Sequence, residues 1–287
     1  MVKQIIKIED FKVENVKFSV VKNNNRGGKT IFINYDYEDG EAPKKLRIQF
    51  PKMKCPFGVT GFDALAPNKE DKGKISKTSN DNLELSFKEN DPNVEKFKMF
   101  ENMVTELAFN NSKELLGKKY TLDFVKEFQV SNIRISADKD GNILPYPPRL
   151  RCKMTKDSEG NYTTLFYDGV GKKFSVNYEN QREKIPKMSE CLTIVECASI
   201  WVVNQKFGVA ARPVQMKVFK NEVSLDDYAF IDEPEPSQTS SSHNETTLDS
   251  EEELIEEVEE LVIEEQEEDD PLEVDVVSKP KFSRKRK

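Results

Sequence analysis

Lys45-Leu46-Arg47-Ile48-Gln49-Phe50 alternates polar and apolar residues without a break. Successive side chains of a β-strand point to opposite faces. Leu46, Ile48 and Phe50 are therefore expected on a core, and Lys45, Arg47 and Gln49 on the solvent side. Upstream, residues 30–35 (Thr-Ile-Phe-Ile-Asn-Tyr) and residues 11–21 also read as strands, and the turn cluster Asn23-Asn24-Asn25-Arg26-Gly27-Gly28 joins them into a hairpin with a longer loop. Downstream, strands are expected at residues 120–125, 128–136, 149–154, 162–167, 194–204 and 214–219. Gly and Pro clusters separate them, such as Asp140-Gly141-Asn142, Pro145-Tyr146-Pro147-Pro148 and Glu159-Gly160-Asn161.

One segment has the other period. Asp91-Pro92 supplies a cap and a proline suited to the first helical turn, and Val94, Phe97, Phe100, Val104, Leu107 and Ala108 follow at helical spacing. A second short helix is expected over residues 112–116, ending at Gly117. The fold class that follows is mainly β with one long helix (α+β), a β-barrel with an inserted or capping helix.

A composition break near Ile231 divides the chain into four parts. Residues 1–231 form the body. Residues 232–248 are a Pro/Ser/Thr-rich linker, residues 249–275 an acidic tail expected to be disordered, and residues 276–287 a basic C-terminus. Within the tail, Ser250 and Glu253 fit a capping box, and Leu254, Ile255, Val258, Leu261 and Val262 share helical spacing, as in a helix that forms on a partner. From Asp232 onward the chain carries 20 acidic and 6 basic residues, a net of −14. That leaves 38 basic and 32 acidic residues, net +6, in the body, so the overall −8 conceals two parts of opposite sign. A basic body tethered to an acidic segment suits an anionic partner together with an internal competitor for it.

Several chemistries are disfavoured. The single histidine, His243, lies in the linker, which removes Ser-His-Asp and Cys-His arrangements from the body. Cys55, Cys152, Cys191 and Cys197 show no paired metal-ligand spacing and read as reduced, intracellular thiols. Residues 1–10 lack a signal-peptide pattern, and no apolar run approaches the roughly 18 residues of a membrane span. Gly27-Gly28-Lys29-Thr30 lacks the first glycine of a phosphate loop, and a strand follows it where that loop needs a helix. No catalytic residue, metal or cofactor is expected.

The positive signals are cations interleaved with aromatics. Arg149, Arg151 and Lys153 fall on one face of a strand whose other face is Leu150, Cys152 and Met154. With no acid among them, they are suited to tracking a phosphate backbone. Arg47 lies on the solvent side of its strand. Lys52, Lys54 and Phe57, and later Trp201, Lys206, Phe207 and Arg212, mix charge with rings on which unpaired bases stack. Phe57 and Phe207, each close to a glycine and a lysine, are the better stacking candidates, whereas Trp201 reads equally well as core. Together these residues point to single-stranded nucleic acid, DNA or RNA. Two other readings are an acidic-tailed chaperone-like protein for basic partners and a metal-dependent enzyme of DNA metabolism.

Pro51-Lys52-Met53-Lys54-Cys55-Pro56-Phe57-Gly58 and Ile200-Trp201-Val202-Val203-Asn204-Gln205-Lys206-Phe207-Gly208-Val209 resemble stretches in the single-stranded DNA-binding proteins of nucleocytoplasmic large DNA viruses, a family related to the phage T7-type single-stranded DNA-binding protein. The resemblance implies an OB-type barrel without catalytic residues, acting in DNA replication, repair or recombination in the host nucleus or a cytoplasmic viral factory. It also implies an acidic tail that contacts replication proteins and competes with DNA; homo-oligomers are a further possibility. The sequence departs from the phage type at its end, where a basic cluster containing Phe282 follows the acidic run.

Overall fold

The computed structural model describes residues 4–24, 27–62 and 74–219. The linker, acidic tail and basic C-terminus expected at 232–287 lie outside the described residues, as does the 250–262 helix. The described chain is mostly β. Its strands are β1 (Ile6–Lys7), β2 (Val16–Phe18), β3 (Lys22–Asn23), β4 (Lys29–Tyr35), β5 (Lys44–Cys55), β6 (Val59–Phe62), β7 (Asn80–Ser86), β8 (Gln129–Val130), β9 (Ile133–Arg134), β10 (Arg149–Met154), β11 (Leu165–Tyr167), β12 (Lys173–Phe174), β13 (Ser189–Val203) and β14 (Lys206–Phe219). The helices are α1 (Pro92–Asn110), α2 (Ser112–Leu115), α3 (Leu122–Phe128) and α4 (Gln181–Lys184).

The strands form an open sheet in the order β12-β11-β14-β13-β4-β5-β7-β10-β9. β13 organises it. One of its edges pairs with β14, and the other is shared between β5, opposite Ser189 to Cys197, and β4, opposite Ser199 to Val202. The partner changes at Ala198, where the β13–β14 register also shifts. Two further shifts fall beside prolines. Leu192 pairs with Lys52 while Ile194 pairs with Gln49, so β5 carries an extra residue at Phe50-Pro51. Ile194 pairs with Gln215 and Val195 with Pro213, so β14 carries an extra residue at Val214. Proline has no N–H to give a ladder and is tolerated where a bulge already breaks it.

The alternation at residues 45–50 lands as expected, with Leu46, Ile48 and Phe50 fully buried. α1 begins as read, the Asp91 side chain accepting a hydrogen bond from the Asn93 N–H at 3.0 Å. Its buried face, Val94, Phe97, Phe100, Val104 and Ala108, meets the sheet through a ring cluster of Phe11, Tyr35, Phe50, Phe87, Phe97 and Phe100. The half-buried Leu107 packs at the edge of that core. Glu101 ties the helix to the chain before β9, accepting from Ser131 Oγ and the Asn132 N–H, both at 2.6 Å. All four cysteines are free and buried.

Four readings are corrected. Residues 120–125 form no strand: Tyr120 and Thr121 lead into α3, and residues 122–125 are its first turn, where Val125 is fully buried against α1; Tyr, Thr, Phe and Val favour strands, and tertiary contact overrides that preference. The strand expected at 128–136 is two short pieces, β8 and β9, parted by Ser131-Asn132, whose polar groups are engaged by Glu101 and the Arg151 carbonyl. The stretch 11–21 holds a single helical turn, Val13–Asn15, before the short β2. At 162–167 only Leu165–Tyr167 is strand, with Tyr162 bridging to Lys156.

Candidate nucleic-acid interface

Side-chain exposure alternates along the central strands and divides the sheet into a core face and an outer face. A one-residue slip would turn every later side chain over. The bulges supply such slips, and they keep the outer face continuous. Gln49 and Lys52, three apart across the bulge at Pro51, share it, as do Arg212 and Lys217 across the bulge at Val214 and Glu196 and Trp201 across Ala198.

Directly paired residues lie on the same face, so the register shows which side chains meet. Phe219, Glu190, Lys54, Ser86, Arg149 and Arg134 form one row across β14, β13, β5, β7, β10 and β9. At about 4.8 Å between strands, that row spans about 24 Å. The next row on its β13 side is Lys217, Leu192 and Lys52, and further along stand Arg212, Glu196 and Arg47.

Of the expected site residues, Arg47, Lys52, Lys54, Trp201, Lys206 and Arg212 therefore come together on the outer face of β5, β13 and β14, and Arg149, Arg151 and Lys153 continue it on β10. Phe57, in the turn after β5, is exposed, with the Arg149 guanidinium 5.3 Å from its ring centre. Two readings fail. Phe207 is fully buried in the core and offers no stacking surface, because its place in the β14 alternation turns it inward. The β10 face is not free of acid. Arg149 Nε donates to Glu84 at 2.6 Å, and Arg151 stands opposite Glu84 in register, since the neighbouring strand supplies a carboxylate that β10 alone cannot reveal. Trp201 is half-buried and packs on Gly208, where an added Cβ would lie 2.7 Å from the indole.

The outer face holds residues that the sequence reading missed. Phe32 is 44% exposed, and Lys22 Nζ stands 5.0 Å from its ring centre. Phe219 has Lys52 Nζ at 4.1 Å and Lys217 Nζ at 5.5 Å from its ring centre, and Glu190 holds Lys52 at 2.5 Å. Phe32 was legible, because Ile31, Ile33 and Tyr35 take the core side of β4 and leave Phe32 on the other. Phe219 was legible in the same way beside Val218 and Met216. The face thus combines rings, which accept any base, with a marked excess of cations over acids. Among the described residues, no three His, Cys, Asp or Glu side chains gather as a metal site, and no helix is long and apolar enough to cross a membrane.

No family model matches the chain, and no curated protein matches it. Among solved structures it is similar to the crystal structure of gp2.5, a single-stranded DNA binding protein encoded by bacteriophage T7, at 13% identity and a TM-score of 0.30, over 67% of this chain and 100% of that one. A likeness of that size carries neither a fold nor a function across.

Proposed function

We propose that this protein binds single-stranded DNA, with little regard to sequence, across the outer face of β5, β13 and β14. The observation that carries the reading is the conjunction on one face of Lys52, Lys54, Arg47, Arg212 and Lys217 with the rings of Phe32 and Phe219. Phosphates are met by the cations, which release counterions, and bases by the rings. Single-stranded RNA offers the same two groups and is the competing ligand. We read the body as an OB-type barrel of the partly open kind, and the protein as a non-catalytic member of the viral family whose stretches at 51–58 and 200–209 it resembles, serving DNA replication, repair or recombination inside the infected cell. On this reading the acidic segment 249–275 competes with DNA and engages replication proteins.

The test is fluorescence anisotropy of labelled single-stranded DNA, duplex DNA and single-stranded RNA at two salt concentrations, with the full chain and with residues 1–231. Preference for single strands, and a salt slope near −0.7 per phosphate contacted, is the expected result. Tighter binding by residues 1–231 is expected if the acidic segment competes, and equal affinity would remove that part. Absence of binding at low salt by either form overturns the whole proposal.

A further inference from the structure

The middle of the outer face contains a carboxylate that weakens its positive charge. Glu196 on β13 has a side chain only 1% exposed, and it is paired in register with Arg47 of β5 on one side and Arg212 of β14 on the other. Arg47 Nε donates to its Oε2 and Arg212 Nη2 to its Oε1, each at 2.8 Å, and Lys45 Nζ lies 3.7 Å from Oε1. Burial works to raise the carboxyl above its ordinary range. The hydrogen bonds from Arg212 and Arg47, with the Lys45 charge nearby, outweigh it and hold the group below that range, so Glu196 is ionised at neutral pH. Three cations surround one anion, and the anion lies beneath them, out of reach of a ligand.

The geometry assigns a role to each part. The Arg47 bond uses Nε and leaves the terminal nitrogens of the guanidinium for a ligand. A guanidinium grips a phosphate through two parallel hydrogen bonds, and it loses less freedom doing so when its plane is already fixed. Along β13, Phe219 stands opposite Glu190, roughly 20 Å from Glu196, and Phe32 stands opposite Ser199, roughly 10 Å away on the other side, so the pair of arginines lies between two ring platforms. We propose that Glu196 is a positioning residue that turns Arg47 and Arg212 into a preformed clamp for a phosphodiester of the bound single strand. The proposal rests on the single-strand reading above and adds which cations anchor the backbone.

Simple charge arithmetic and positioning predict opposite results for one substitution. Glu196→Gln raises the net charge of the face by one and, by charge alone, tightens binding; as a loss of positioning, it weakens binding. The control is Glu41→Gln, which removes an exposed acid that pairs with no cation of the outer face. The experiment titrates full-length protein and variants against labelled oligothymidylate at several salt concentrations, with folding checked by circular dichroism. Expected are at least about five-fold weaker binding for Glu196→Gln, unchanged or slightly tighter binding for Glu41→Gln, and about five-fold weaker binding for Arg47→Lys, which keeps the charge and loses the fork. Glu196→Gln binding as tightly as Glu41→Gln overturns the clamp. If Glu196→Gln does not fold, Arg47→Lys and Arg212→Lys decide the matter, and wild-type affinity in both overturns it. A wild-type protein that binds no oligothymidylate instead removes the single-strand reading itself.

Discussion

Two carboxylates in this molecule are almost sealed from water and paired with cations, yet their surroundings differ. Asp81 on β7 is fully buried. It accepts from Ser79 Oγ and from the Tyr162 phenol, both at 2.6 Å, and pairs at 2.8 Å with Lys156, whose side chain is itself 7% exposed. Glu196 is equally buried, but the side chains of Lys45, Arg47 and Arg212 are 61%, 35% and 41% exposed. In the first cluster every hydrogen-bonding group is turned inward, so its charges answer only to one another. In the second the anion is buried and the cations are not, which leaves them able to serve a ligand. The exposure of the cation, rather than that of the acid, separates a structural ion pair from a receptive one.

The largest expected effect breaks the sealed cluster. Lys156→Ala leaves the Asp81 carboxylate buried without its counter-charge and is expected to cost about 3–5 kcal/mol of stability. Urea denaturation reads that loss directly, and the molecules that remain folded should bind oligothymidylate as the wild type does. A loss of affinity in the folded fraction, like that expected on the Glu196 side, would erase the distinction between the two clusters.

Two phenylalanines sharpen the same contrast between inward and outward groups. Phe207→Ala is expected to cost about 3–5 kcal/mol of stability, because it empties a fully buried site. Phe32→Ala removes a ring from the outer face and is expected to change stability by no more than about 0.5 kcal/mol. It should cost about 1–3 kcal/mol of strand affinity, read by anisotropy, if a base stacks there. Should the two substitutions exchange these effects, the assignment of faces is wrong.

These residues also show how far the sequence is legible. The alternation at 45–50 and 149–154 and the capped start at Asp91-Pro92 are local patterns, and the structure keeps them. β7 was passed over although Leu83 and Leu85 alternate with polar neighbours, because Asp81 in a core position leaves that alternation only two apolar residues long within the strand. The ion pairs of the outer face were out of reach for a different reason. Arg47 and Glu196 are 149 positions apart, and Glu84 and Arg149 are 65 apart, so only sheet register brings them together. Phe207 was misread because a neighbouring glycine and lysine suggested a loop, while its parity along β14 already placed it inside.

Arg149 tests an intermediate case, a cation on the outer face that an acid partly occupies. Glu84 and Ser136 take two of its donors, and its side chain is 17% exposed, less than that of Arg47 or Arg212. Arg149→Ala is therefore expected to reduce strand affinity less than Arg47→Ala and to change the salt slope by less than about 0.7, the value of one full phosphate contact to a single strand. An effect equal to that of Arg47→Ala would place the backbone path over β10 as well.

The smallest effect concerns carboxylates at the surface that are held by their own loops. Asp138 and Asp157 each open a hairpin of the same build. The carboxylate accepts the N–H groups two and four residues on, and a left-handed glycine, Gly141 or Gly160, closes the turn. In the loop before β4, Asn24 takes the equivalent place, its Oδ1 accepting the Gly28 N–H at 2.6 Å, with Gly27 left-handed. Hydrogen bonds from Asn142 to Asp138, and from Asn161 to Asp157, hold both carboxyls below their ordinary value of 3.8. A carboxyl lowered on folding adds stability above its unfolded value and loses it as pH falls through the lower, folded value. The amide of Asn24 has no such dependence. Replacing Asp138 and Asp157 together by Asn keeps an acceptor oxygen in each loop and removes the titration, so the variant's urea midpoint should fall less between pH 5 and pH 2.5 than the wild type's. Every other carboxyl is common to both proteins and cancels in that difference. Equal falls would mean that the loops hold their shape through backbone geometry and glycine alone.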